Sequence, residues 1–268
     1  MTPVGADSDV CWRWLWGERM PGKILIAGET WFSTSVHTKG FDSFTTTTFH
    51  EGYSFLKAAL EASGYEVDVV ENHVAPVKFP ETVEALKQYS AIILSDIGAN
   101  TLLLHPKTWL RSERAVNKLD SIAGYVRSGG GLIMVGGYLT FTGIEAKGCW
   151  KDTVVEACLP VRLMASDDRR EHPEGVVGKI VNPSHPVLAG IEGPLPAVLG
   201  YNRVNLAPEA ELLATVDGDP LIAVAEVGKG RSAVFTSDCS PHWCPTEFVN
   251  WRGYGQIWSN LCAWTGRQ

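Results

Sequence analysis

Three short runs of consecutive apolar residues constrain this chain more than any other feature. Lys23 to Ala27 (KILIA) stops at Gly28, Ala91 to Leu94 (AIIL) ends at Ser95 and Asp96, and Leu132 to Val135 (LIMV) precedes Gly136–Gly137. Apolar residues in sequence, rather than in alternation, mark strands covered on both faces, as in a parallel sheet. Tyr65 to Val70 (YEVDVV) reads as a further strand. Between the first two strands, Phe55, Leu56, Ala59 and Leu60 follow helical spacing over residues 53–63, and Gly64 ends the helix. A second helix over about residues 114–127 stops at Ser128–Gly131. The order β-α-β-(α)-β-α-β predicts an α/β fold: a doubly wound, mostly parallel sheet with right-handed crossovers.

The second half changes character. Residues 176–181, 211–216, 221–227 and 232–236 read as short strands, with hairpin turns at Asp217-Gly218-Asp219 and Gly228-Lys229-Gly230. They predict an antiparallel C-terminal extension of the sheet. A last helix near residues 255–264 presents Ile257, Trp258, Leu261 and Trp264 to the core. We expect an N-terminal arm over residues 1–22 and one domain over residues 23–268.

Composition removes several function classes. With 23 basic against 30 acidic residues the net charge is −7, and no run of Lys or Arg exceeds two. The basic footprint of a nucleic-acid binder is missing. No stretch approaches the ~20 apolar residues of a membrane helix. The arm carries Trp12, Trp14 and Trp16 beside Arg13 and Glu18, unlike a secretory signal. Six cysteines without CxxC pairs or zinc-type spacing predict reduced thiols, a cytoplasmic setting and no metal or other cofactor.

In wound sheets, ligands bind beyond the carboxyl ends of the strands, so those exits hold the candidates. After the first strand comes a hydroxyl-rich segment from Glu29 to Glu51. It reads as a long functional loop, with His50 and Glu51 closing over the cleft. The third strand leads to Asp96 and Asn100, an acid and an amide suited to a pocket floor. After LIMV, the glycine pair has the geometry that presents a nucleophile above a sheet, yet the expected position holds Tyr138. Late in the chain Asp238, Cys239 and His242 fall within five residues at a strand end, beside Trp243, Trp251 and Tyr254. Acid, thiol and imidazole together mark a catalytic candidate. Asp168 and Arg169, in the densest charge cluster, are candidates for reaching the same cleft.

At these segments the chain resembles the class I glutamine amidotransferase-like family. The matching strings are FHEG (49–52), SDIGANTLLLHP (95–106), GGGLIMVGGYLTFTG (129–143), DDRREHPEG (167–175), LGYNRV (199–204), GKGRSAVFTSDCSPHW (228–243) and WRGYGQIW (251–258). The resemblance runs from about residue 23 to the C-terminus and implies a flavodoxin-like α/β sandwich. In the true amidotransferases the elbow carries a cysteine, and a late histidine is followed two residues on by glutamate. Here the elbow falls near Tyr138, His242 stands at the late histidine, and position 244 is Cys. The standard thiolate mechanism therefore lacks its nucleophile.

Three functions compete. The first is binding or hydrolysis of a small, sugar-like molecule in the strand-end cleft. The second is glutamine amide hydrolysis with Cys239 as a displaced nucleophile. The third is a non-catalytic module that buries its N-terminal tryptophans in a homo-oligomer.

Overall fold

The structure, a computed structural model, describes residues 22–267. All but Gly22 of the expected arm lies outside the described residues. The strands are β1 (Lys23–Gly28), β2 (Thr30–Lys39), β3 (Asp42–Glu51), β4 (Glu66–Val70), β5 (Ala91–Ser95), β6 (Gly131–Val135) and β7 (Val161–Leu163). The later ones are β8 (Arg169–Val177), β9 (Lys179–Ile180), β10 (Ala197–Asn202), β11 (Val204–Leu206), β12 (Glu211–Val216), β13 (Asp219–Val227) and β14 (Gly230–Phe235).

Eight strands form the central sheet in the order β4-β1-β5-β6-β14-β13-β12-β9. The pairs from β4 through β14 are parallel, and β13, β12 and β9 join antiparallel. The α/β architecture is consistent with a flavodoxin-like fold, and the antiparallel extension falls where the turn-separated second half predicted it. Its β12–β13 turn lies at Asp217–Gly218, within the expected turn.

Burial explains the unbroken apolar runs. Ile24, Ile26, Ile93 and Ile133 face one layer, with Leu56 and Leu60 of the helix Ser54–Ala62 and Ile257, Trp258 and Leu261 of the helix Tyr254–Thr265. Leu25, Ile92, Leu94, Leu132 and Met134 face the other, with Leu119, Ile122 and Val126 of the helix Lys118–Arg127. Successive residues of one strand thus serve opposite layers, and each fully buried Leu or Ile contributes ~1.5–3 kcal/mol. No helix among the described residues is long and apolar enough to cross a membrane.

The segment after β1 departs from expectation. It is a β-hairpin, not an irregular loop: β2 and β3 pair antiparallel from Thr30–Glu51 to Lys39–Asp42 across a two-residue turn at Gly40–Phe41. Residues 31–49 are all exposed. Without a buried face, burial imposes no apolar–polar alternation on the ribbon, so the period-2 signal of a strand is missing from its sequence. Its threonines and aromatics, both strand-favouring, were the remaining local cue.

Candidate functional site

Four strands of the sheet end in turns that aim side chains at one place. At the exit of β1, Gly28 passes so close to β5 that an added Cβ would sit 1.8 Å from the Ser95 carbonyl oxygen, and its φ is +117°. Only glycine fits there. The next residue, Glu29 (φ 56°), receives no freedom from the sheet: its amide donates to Ser95 O at 3.0 Å and its side chain is buried. Asp96 (φ 42°) leaves β5 in the same left-handed conformation. Beyond β6, Gly137 (φ +152°) lies against Asp96, where a Cβ would be 2.8 Å from Oδ1. Asp238, Cys239 and His242 follow β14.

Two rows of groups result. In the inner row, Ser95 Oγ donates to Glu29 Oε1, and Ser240 Oγ donates to Glu29 Oε2 at 3.3 Å. Cys239 is fully buried, with Sγ 3.6 Å from Ser95 Oγ. Its backbone carbonyl accepts from the Tyr254 hydroxyl at 2.6 Å. Burial pushes the Glu29 carboxyl well up, and the charges of Asp238 and Asp96 add to that. The Cys239 thiol is likewise pushed well up, by burial and then by Glu29 and Asp238. A neutral, enclosed thiol is a poor nucleophile. Glu29, Asp238 and Cys239 each offer one donor atom, all within 4.8 Å of one another, and so could hold a cation among the described residues. Ser95 Oγ holds Glu29, and the single Ser240 hydroxyl proton is shared between Glu29 Oε2 and Asp238 Oδ1, each at 3.3 Å.

The outer row is open. His242 Nδ1 stands 3.6 Å from Asp238 Oδ2, with 42% of the histidine side chain exposed. Asp238 Oδ1 accepts from the Ser240 amide at 3.0 Å, which fixes the carboxylate. The Asp238 carboxylate raises the imidazole above its ordinary pKa against the opposing effect of burial. Asp96 Oδ1 accepts from the Leu139 amide at 2.8 Å. Its carboxyl is pushed up to about 6 by burial and by the nearby negative charge of Asp238. Asp96 caps no helix; Gly98 is the N-cap of the helix Ala99–Leu103. The Tyr138 ring meets His242 edge-on at 4.6 Å between centroids, and the Arg169 guanidinium lies 5.2 Å above the Tyr138 ring. The Tyr138 hydroxyl donates to Glu171 Oε1 at 3.3 Å.

Other expected site residues take different places. Asp168 is buried and accepts from the amides of Thr142 and Gly143 and from Asn202 Nδ2, all within 2.9 Å. Asn202 in turn holds Gly137, accepting from its amide at 2.9 Å and donating to its carbonyl at 3.1 Å. Asp168 therefore braces the backbone on both sides of Tyr138 from within the fold. Trp243 is buried too, its ring stacked 5.5 Å from His242 and its indole N–H donating to Glu171 at 3.0 Å. It supports the imidazole and offers no open face. Trp251 packs on Phe248 at 6.1 Å, and the buried Tyr254 ring also lies against Phe248. Both belong to the packing under the site because their rings fill the layer around the helix Tyr254–Thr265.

His50 stacks on Trp31 at 5.2 Å at the hairpin base, and exposed Glu51 accepts from Ser54 Oγ. Pairing in the ribbon fixes them, so they form no closing loop. Asn100 is exposed on the helix Ala99–Leu103. Beside Asp96, a groove of about 260 Å³ is lined by Thr30, Trp31, Asn72, His73 and Thr101, among others. Asn72 ties it to the strand end, donating to Thr30 O at 2.6 Å and to Asp96 O at 3.1 Å. Glu29, Asn72, Glu171 and Asn202 were not among the sequence candidates. Glu29 is an acid at a strand exit, as Asp96 is.

Comparison with known proteins places this architecture. The model of the GATase1-like family, described as "Putative glutamine amidotransferase", matches residues 23–266. The chain belongs to that family. Two solved structures from Salmonella typhimurium, the cytoplasmic proteins STM3548 and STM1381 (strain LT2), are each 41% identical to it. They align over 91% of this chain and over 98% and 99% of their own, with TM-scores of 0.88 and 0.87. A "Putative thua-like protein" from Parabacteroides merdae shares the fold at 13% identity and a TM-score of 0.55, over 92% of this chain and 90% of its own. No curated protein matches the chain. In this chain Tyr138 follows the Gly136–Gly137 pair beyond β6, and Cys239 and Cys244 are both enclosed.

Proposed function

We propose that this protein binds a small hydroxylated molecule at the strand ends and acts on it by general acid–base chemistry, without a cysteine nucleophile. One observation carries the reading: a carboxyl raised to about 6 and a solvent-reached imidazole share Asp238 as their charged neighbour. A group that titrates near neutrality both gives and accepts protons at working pH. Asp238 engages Nδ1 of His242, which leaves Nε2 for a ligand proton, as in Asp–His pairs generally. Tyr138 and Trp243 hold the imidazole plane. The groove beside Asp96 supports the substrate class. Thr30, Asn72 and Thr101 offer polar side chains and Trp31 an aromatic face, and 260 Å³ suits a molecule smaller than most drugs. The Salmonella relatives are described as cytoplasmic proteins, which supports the cytoplasmic setting read from the thiols.

The test is a thermal-shift panel of monosaccharides, sugar acids and glutamine, run on the wild type, Asp96→Asn and His242→Ala. The reading expects a hydroxylated ligand to stabilise the wild type and neither variant. It also expects no ammonia release from glutamine. Ammonia release abolished by Cys239→Ser would overturn it.

A further inference from the structure

We propose that the β2–β3 ribbon is the self-association element of this protein: β3 pairs antiparallel with β3 of a second copy across a two-fold axis. The ribbon is 10 residues long on each strand, ~33 Å at ~3.3 Å per residue, and only its base is braced, where Phe32 and Phe49 meet the His73 ring at 5.6 and 5.7 Å. Residues 31–49 are all exposed, with Phe32 at 54% and Val36 at 70%. An isolated two-stranded ribbon is marginally stable in water.

Three features select a second copy as the occupant. Edge strands that must stay single carry charges, prolines or bulges. Here the only Asp, Glu, Lys or Arg residues between Trp31 and His50 are Lys39 and Asp42, which stand opposite each other in the strand register at the turn. The ribbon has no proline and its register is unbroken. Secondly, the whole chain carries a net charge of −7, so two copies approach with least repulsion through a nearly neutral arm.

Thirdly, the middle of β3 is Thr45-Thr46-Thr47-Thr48, flanked by Phe44 and Phe49. A two-fold axis makes an isologous contact, in which each strand meets its own sequence reversed. Centred on Thr47, this pairing sets Thr47 against the partner's Thr47 and Thr46 against the partner's Thr48. Threonine pairs are favourable across strands. The same register sets Phe44 beside the partner's His50. His37 stacks on Phe44 at 4.6 Å and Trp31 on His50 at 5.2 Å, and these two pairs lie on the same face of the ribbon. The dimer would therefore join them into a row of four rings across four strands.

Sedimentation velocity on the full chain at micromolar concentration tests this. The wild type is expected at the mass of two chains. Thr47→Lys and Thr47→Asp are each expected to weaken the dimer about tenfold or more, because like charges face each other across the axis. An equimolar mixture of the two variants is expected to recover the dimer, a result that a merely unfolded ribbon cannot give. A monomeric wild type would overturn the proposal. So would charged variants that keep the dimer mass, or a dimer lost only when residues 1–19 are removed, since each moves the interface elsewhere or abolishes it.

Discussion

Cys239 and His242 leave the same strand three residues apart, yet the structure gives them opposite fates. Cys239 turns inward against Ser95 and Glu29 and is sealed; His242 turns outward and keeps 42% of its side chain exposed. The difference comes from what each meets. Burial first, and then the neighbouring carboxyls of Glu29 and Asp238, disfavour the charged form of the thiol. The imidazole has the Asp238 carboxylate, so its charged form is favoured. Nearness along the chain thus says little about chemistry, and the solvent-facing row is where proton transfer belongs.

The most severe way to break this contrast is to remove the outer row. Asp96→Asn and His242→Ala are each expected to lower turnover of a substrate found by the ligand panel by ~10²–10⁴-fold. Cys239→Ser should change it less than tenfold. Steady-state kinetics decide between the rows.

Next comes the support beneath the elbow. Asp168→Ala leaves the amides of Thr142 and Gly143 and the Asn202 side chain without their buried acceptor. A loss of about 3 kcal/mol in urea denaturation is expected, whereas Asn100→Ala, at an exposed position, should stay within ~0.5 kcal/mol.

A smaller effect sharpens the electrostatics. Asp96 has a raised folded pKa, so between its ordinary value near 3.8 and about 6 the folded state binds more protons than the unfolded chain. Stability therefore falls as pH rises through that window. His242, also raised, contributes stability that is present below its ordinary value of 6.5 and lost above its folded pKa. Asp96→Asn is expected to flatten the acid-side slope and to stabilise the protein at pH 7 by about 1–2 kcal/mol. Thermal melts across pH 4–8 measure it. Finally, brief iodoacetamide treatment of the native protein should label exposed Cys149 and leave Cys239 and Cys244 unmodified by peptide mass mapping. Rapid labelling of Cys239 would erase the distinction.

The wound sheet was legible because burial writes itself into sequence. ILIA, AIIL and LIMV are apolar since neighbouring residues serve opposite layers, and the glycines after ILIA and LIMV mark where those strands must turn. The strand-end rule then led to Asp96, Tyr138, Asp238 and His242 before any coordinates. Three parts were not legible. Beyond its base the ribbon has no covered face, so its strands carry no burial pattern. The roles of Asp168 and Trp243 depend on partners 34 and 72 residues away in sequence, which composition and spacing do not reveal. Glu29 stands at a strand exit as Asp96 does, but its enclosure comes from Ser95 and Ser240, 66 and 211 residues away in sequence.

Carbon-detected NMR titration of the aspartate carboxyls, with the imidazole followed in the same samples, reads the outer row directly and needs no ligand. The account predicts an Asp96 midpoint near 6 and a His242 midpoint above 6.5 that drops in Asp238→Asn. An Asp96 midpoint near 3.8 together with a His242 midpoint at or below 6.5, unmoved by Asp238→Asn, would contradict it.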